Sequence, residues 1–133
     1  MVLFVFGSRS VVDRVLVDRV LGWWSGVDTV WSGGARGADA LGVAWARRRG
    51  LPVREWLADW GRFGRSAGVR RTRALVDELP ADALCVCFAQ SGCSSVGALS
   101  AGSAHSVRFC RERGLSVLVV FADGSLRWAP PGF

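Results

Sequence analysis

The sequence predicts an α/β domain of three layers: a five-stranded, mainly parallel sheet with helices on both faces. Three observations predict it. Apolar runs alternate with segments of helical periodicity along the whole chain. The inner runs, VLFVF (2–6) and ALCVCFA (83–89) among them, are apolar without alternation, as strands covered on both faces should be. Four of the runs end in loops of glycine with serine or arginine, and three of those loops lead into helix starts.

The elements follow in order. VLFVF is the first strand. SVVD from Ser10 resembles a capping box, with Asp13 at the third helical position. Apolar positions 11, 12, 15, 16, 20 and 21 then keep helical spacing to about Leu21, and Gly26 ends the region. DTVWS (28–32) is the second strand. Residues 37–49 form the second helix, with Gly50 as its stop. PVREWL (52–57) is the third strand, followed by a polar, glycine-bearing stretch (58–68). RRTRALVDEL reads as a helix stopped by Pro80. ALCVCFA is the fourth strand, and a Ser/Gly loop runs from 90 to 102. Residues 103–113 form the last of four principal helices. LSVLVVFA (115–122) is the fifth strand, and 123–133 reads as a turn and a tail. No linker or repeat divides residues 1–133, so one domain is expected.

Composition narrows the class. Half of the 133 residues are hydrophobic, enough for one core without disulfides or a metal. All seventeen basic residues are arginine, and lysine, isoleucine, asparagine and tyrosine are absent. Those four share AT-rich codons, so a GC-rich coding sequence explains the arginines, and their position says more than their number. Cysteines stand at 85, 87, 93 and 110 with no CxxC, and the lone histidine is His105, which argues against a zinc site. Buried free thiols fit a reducing cytoplasm. VLFVF is too short for a membrane span and lacks the basic lead of a signal peptide.

The residues just after each strand carry the chemistry, because open α/β sheets bind ligands beyond the carboxyl ends of their strands. These are GSRS (7–10), SGGARGAD (32–39), ADWGRFGRSAG (58–68) and AQSGCSSVGALSAGS (89–103). Unpaired amides and the helix dipole make such helix starts anion sites. Arginine adds a planar fork for phosphate. Glycines at 33, 34 and 37 let backbone approach a phosphate, with Arg36 beside it. Neither GxGxxG nor GxxxxGK[ST] is present, so no standard dinucleotide or P-loop fingerprint applies.

GSR at 7–9, GGARGAD at 33–39, ADWGRFGRSAG at 58–68 with RRTRAL, and GSAHSVRFC at 102–110 resemble the YspA/cpYpsA-related branch of the SLOG superfamily. That superfamily includes the LOG phosphoribohydrolases and the DNA-processing protein DprA. The resemblance spans the domain in order. It implies a Rossmann-like fold and a nucleotide or nucleotide-derived ligand, with many members regarded as ligand sensors. Departures stand beside it. Arg71-Thr72 replaces the branch's usual Arg-Asn, and Gly102-Ser103 replaces Gly-Thr. LOG enzymes carry GGxGTxEE with a catalytic glutamate; here those two glutamate positions hold His105 and Ser106, which argues against LOG-type cleavage.

Three functions compete on this reading. The first is a nucleotide-binding or sensing module without a cofactor. In it Gly7, Ser8, Arg9, Gly33, Gly34, Arg36, Gly37, Gly102 and Ser103 form the phosphate side, and Asp39 serves the helix start or a ribose hydroxyl. Asp59 and Trp60 line the base or sugar, and Arg71 closes the pocket. The second is cleavage of an N-glycosidic bond, with Asp59, Asp39 and His105 as acid or base candidates. The third is nucleic-acid binding in the manner of DprA, which the net charge of +6 permits. Seven tryptophans, including adjacent Trp23 and Trp24, predict a homodimer or higher homo-oligomer, with cover by the C-terminal segment as the alternative.

Overall fold

A computed structural model describes residues 1–132. Its strands are β1 (Val2–Gly7), β2 (Thr29–Ser32), β3 (Val53–Glu55), β4 (Leu84–Phe88), β5 (Val117–Val120) and β6 (Leu126–Ala129). Its α-helices are α1 (Arg14–Leu21), α2 (Ala38–Arg48), α3 (Trp60–Phe63), α4 (Ala67–Glu78) and α5 (Ala101–Glu112). The sheet order is β3-β2-β1-β4-β5-β6, with every pair parallel except β5 and β6. The order reverses between β1 and β4, as in Rossmann-like sheets.

Alternation along the inner strands sorts the core into two layers. Phe4, Phe6, Cys85, Cys87, Val117 and Val119 join one buried cluster with Leu75 and Val76 of α4 and Val107 and Phe109 of α5. Leu3, Val5, Val86, Phe88, Leu118 and Val120 join the other with Leu16, Val17 and Val20 of α1 and Trp45 and Ala46 of α2. Both faces are covered, so these strands read as unbroken apolar runs. Cys85, Cys87 and Cys110 are buried thiols in the first layer.

The structure corrects three expectations. The sheet has six strands, because the chain turns back at Asp123. Asp123 accepts from the Ser125 amide at 2.8 Å and the Phe121 amide donates to Ser125 O at 2.9 Å. This closes a hairpin that pairs Leu118 with Trp128 and Val120 with Leu126. What reads as a tail from 123 is therefore a strand to Ala129. The first helix starts later than Ser10: Asp13 caps it, accepting from the Leu16 amide at 3.0 Å, while Ser10 Oγ bonds Ser8 Oγ at 2.7 Å. The polar stretch after β3 holds α3 and a 3₁₀ turn at Gly64–Ser66.

Trp23 and Trp24 lie just past α1. Trp23 is half exposed, whereas Trp24 packs on the α1–α2 core layer and shares a groove with Trp128, Leu84 and Leu115. The C-terminal strand thus flanks Trp24 within one chain. Among the described residues, no helix is long and apolar enough to cross a membrane.

Candidate functional site

The carboxyl end of β1 meets β4 closely. The Ser8 amide donates to Phe88 O at 3.0 Å, and a Cβ on Gly7 would collide with the Phe88 carbonyl. Ser8 O in turn accepts from the first amide of α2, that of Ala38, at 3.2 Å. The loops after β1 and β2 are thereby packed together at the point where the strand order reverses.

A cavity of about 470 Å³ opens at this point. Phe4, Phe6 and Leu75 give it an apolar wall. Gly7, Ser8 and Arg9 line it from β1, Gly33, Ala35 and Asp39 from β2 and α2, and Gly68, Arg71 and Thr72 from α4. Arg65 reaches it from the 3₁₀ turn, and Ser100, Gly102, Ser103, His105 and Ser106 come from the start of α5. Its volume suits a small organic ligand.

Arg71 and Asp39 organise the wall between β2 and β3. Arg71 Nη1 donates to the carbonyls of Gly33 and, at 3.2 Å, of Trp56, while its Nε donates to Thr72 Oγ1 at 3.3 Å. One guanidinium therefore ties the loops after β2 and β3 to α4. Asp39 is 5% exposed and accepts from the Ala35 amide at 3.4 Å. Burial pushes its carboxyl up from the ordinary 3.8 to about 6, against the lowering effects of the Ala35 amide and the Arg71 charge. Burial likewise lowers the Arg71 guanidinium from its usual range, with Asp39 opposing.

The start of α5 offers free donors. Ser100 is its N-cap but makes no capping bond to the helix, and the first turn holds no acid. The amides of Ala101, Gly102 and Ser103 have no carbonyl one turn earlier to bond. Ser103 Oγ lies 3.4 Å from Ser100 Oγ. Beneath it, burial pushes the Cys87 thiol up to about 12, so it is neutral. The ion pairs among the described residues engage Arg14, Arg47, Arg48, Arg54, Arg73 and Arg108. The three cavity arginines, Arg9, Arg65 and Arg71, are in none of them. The lining thus carries three guanidiniums and one carboxyl of raised pKa, beside the dipole of α5.

Of the residues singled out in the sequence, Gly7, Ser8, Arg9, Gly33, Asp39, Arg71, Gly102, Ser103 and His105 come together here. Others do not line the cavity. Arg36 is exposed on the turn before α2, with Gly34 and Gly37 on either side of it. Asp59 caps α3, accepting from the Arg62 amide at 3.1 Å. Trp60 is 52% exposed, and its ring edge stands 3.4 Å from where a Cβ of Gly68 would lie, at the cavity's rim. Sequence reasoning named Thr72 and Ser106 only as departures from the motifs of the resemblance, and it missed Arg65 and Ser100. Arg65 sits in the glycine-rich stretch after β3, and that position was its available signal.

No protein-family model matches the chain, and no curated protein matches it in sequence.

Proposed function

We propose that this chain binds an anionic nucleotide derivative in the cavity between β1 and β4. The observation that carries the reading is the convergence of Arg9, Arg65 and Arg71, none in an ion pair with a described residue, on a cavity bordered by the open first turn of α5. Phosphate oxygens would accept from the Ala101–Ser103 amides, Ser8 and Arg9. The ring would lie against Phe4, Phe6 and Leu75, and the volume of about 470 Å³ leaves room for both parts. The resemblance of GGARGAD and its companion loops to the YspA/cpYpsA-related branch supports the same ligand class. A thermal-shift panel of nucleoside monophosphates, cyclic nucleotides, ADP-ribose and NAD tests the reading. A ligand that binds the folded state must raise the melting temperature. No shift from any of them at millimolar concentration overturns it.

One observation favours a second reading, hydrolysis of an N-glycosidic bond. Asp39 is a buried carboxyl in the cavity wall, pushed up to about 6, a value suited to proton transfer near neutral pH. Water would attack the anomeric carbon as its bond to the base nitrogen breaks. Asp39 would take the water proton and pass it to the leaving base. Release of free base on incubation, abolished in Asp39→Asn, is the required result.

A further inference from the structure

We infer that the outer edge of β6 binds an extended segment of a partner protein as a seventh strand, with an acidic residue of that segment standing between two apolar ones. The sheet order ends at β6, so one side of that strand has no neighbour among the described residues. The Phe121 amide donates to Ser125 O, and the register sets Val119 against Arg127 and Val117 against Ala129. Hydrogen-bonded pairs alternate along an antiparallel ladder, so Arg127 and Ala129 turn their backbone groups to β5. Leu126 and Trp128 turn theirs outward. The edge thus offers two amides and two carbonyls, enough for two hydrogen-bonded pairs with an added strand. It is also open, with Leu126 and Trp128 42% and 53% exposed.

The side chains define the occupant. Leu126 and Trp128 share a face with Val120 and Leu118, and apolar residues of an added strand would lie beside them. Between them Arg127 stands on the other face, that of Ala129 and α5. Arg111 of α5 reaches the same strand's end, donating to Pro130 O at 2.6 Å. Arg19 of α1 reaches the hairpin turn, its Nη2 3.4 Å from where a Cβ of Gly124 would lie. None of these three arginines is in an ion pair with a described residue. Asp123 is turned into the hairpin by bonds from the Ser125 amide and hydroxyl. The edge is therefore basic, and an acidic strand complements it. A second copy of the chain does not. Two-fold pairing that uses all four outward groups sets Leu126 against Trp128 of the copy. It also sets Arg127 against Arg127 of the copy, across the closely spaced, non-hydrogen-bonded pair. Like charges directly opposite repel. A lone charge also guards a short edge against self-pairing, but an edge that only guards itself would not expose Leu126 and Trp128 beside that charge. The inference stands without the nucleotide reading, since no residue of β6 lines the cavity.

Fluorescence anisotropy of the labelled pentapeptide Thr-Val-Glu-Val-Thr, titrated with the full chain, tests this. The peptide is expected to bind, and Thr-Val-Lys-Val-Thr about tenfold more weakly. Arg127→Glu should reverse that order, and an unchanged melting temperature certifies the variant. N-methylation of both valine amides removes two of the four backbone hydrogen bonds and should abolish binding. Leu126→Pro removes an outward donor and no bond to β5, so it should weaken the glutamate peptide several-fold. No binding up to millimolar protein overturns the inference. So does equal affinity for the glutamate and lysine peptides, which would deny the role of Arg127. Full-strength binding of the N-methylated peptide would deny strand pairing and overturns it as well. Sedimentation velocity supplies the remaining outcome: a dimer that Leu126→Pro dissociates gives the edge to a second copy and overturns the partner strand.

Discussion

The guanidinium of Arg71 fills the space that a side chain on Gly33 would need: a Cβ there would lie 2.7 Å from Arg71 Cζ. The same guanidinium donates to the Gly33 and Trp56 carbonyls. Gly33→Ala therefore displaces it and leaves two carbonyls without their donor. Denaturant unfolding should show a loss of about 1–3 kcal/mol. Arg71→Ala should be destabilising by a similar amount. The double variant should lose markedly less than the sum, because the second change removes the obstacle created by the first. Strictly additive losses would mean that the two residues do not share this space.

Asp39 predicts a specific pH dependence. Its folded pKa of about 6 lies above the ordinary 3.8, so the folded chain holds this proton more tightly than the unfolded chain. The stabilisation is complete below the unfolded value, by about pH 3. It is lost as pH rises through about 6, after which the ionised carboxyl is equally unfavourable at every higher pH. Asp39→Asn has no such titration. Relative to wild type, it should gain roughly 3 kcal/mol between pH 3 and pH 7. Parallel stability profiles for the two proteins would refute the raised pKa.

The cavity arginines and the loop arginine should separate cleanly. Arg9 lines the cavity, whereas Arg36 is exposed outside it. With whichever nucleotide gives the largest thermal shift, Arg9→Ala should weaken binding by about 1.5–3 kcal/mol, the scale of charge-assisted hydrogen bonds. Arg36→Ala should change it by less than about 0.5 kcal/mol. Calorimetric titration of both variants decides; the reverse order would put the anion on the GGARG turn.

The difference between these two arginines marks how far the sequence could be read. VLFVF and LCVCF announce central strands because both of their faces are covered, and a continuous apolar run has few other uses. Leu126–Ala129 gives no such signal. It is a short edge strand with three exposed residues, and hairpin pairing with β5 makes it a strand. The loops that form the cavity were legible from their place after the strands. Which side chains turn inward was not. Arg9 and Arg36 are both arginines in glycine-bearing loops that follow strands, yet only Arg9 lines the cavity. Only the packing of α4 against the loops after β2 and β3 brings Arg71 to the Gly33 carbonyl. Arg65 and Ser100 were missed for the same reason: their approach to the cavity depends on how the 3₁₀ turn before α4 and the start of α5 are set against the sheet.

Gly7 and Gly102 both line the cavity, yet the fold requires only one of them. A Cβ on Gly7 would strike the Phe88 carbonyl and lie 2.8 Å from the Phe88 amide nitrogen, backbone atoms of the central strand that cannot give way. Gly7→Ala should destabilise the protein by about 3 kcal/mol or more, or prevent folding. Gly102 is exposed in the first turn of α5, with no positive φ and nothing within 4 Å of its Cβ position. Alanine is a better helix former than glycine, so Gly102→Ala should raise stability by about 0.5–1 kcal/mol. The same methyl would stand beside the Gly102 and Ser103 amides and hinder close approach of a phosphate. Gly102→Ala should therefore melt higher than wild type without ligand, and gain less than wild type when nucleotide is added. A thermal-shift titration reads both quantities in one experiment. If Gly102→Ala keeps the full ligand shift, the anion does not dock on the first turn of α5.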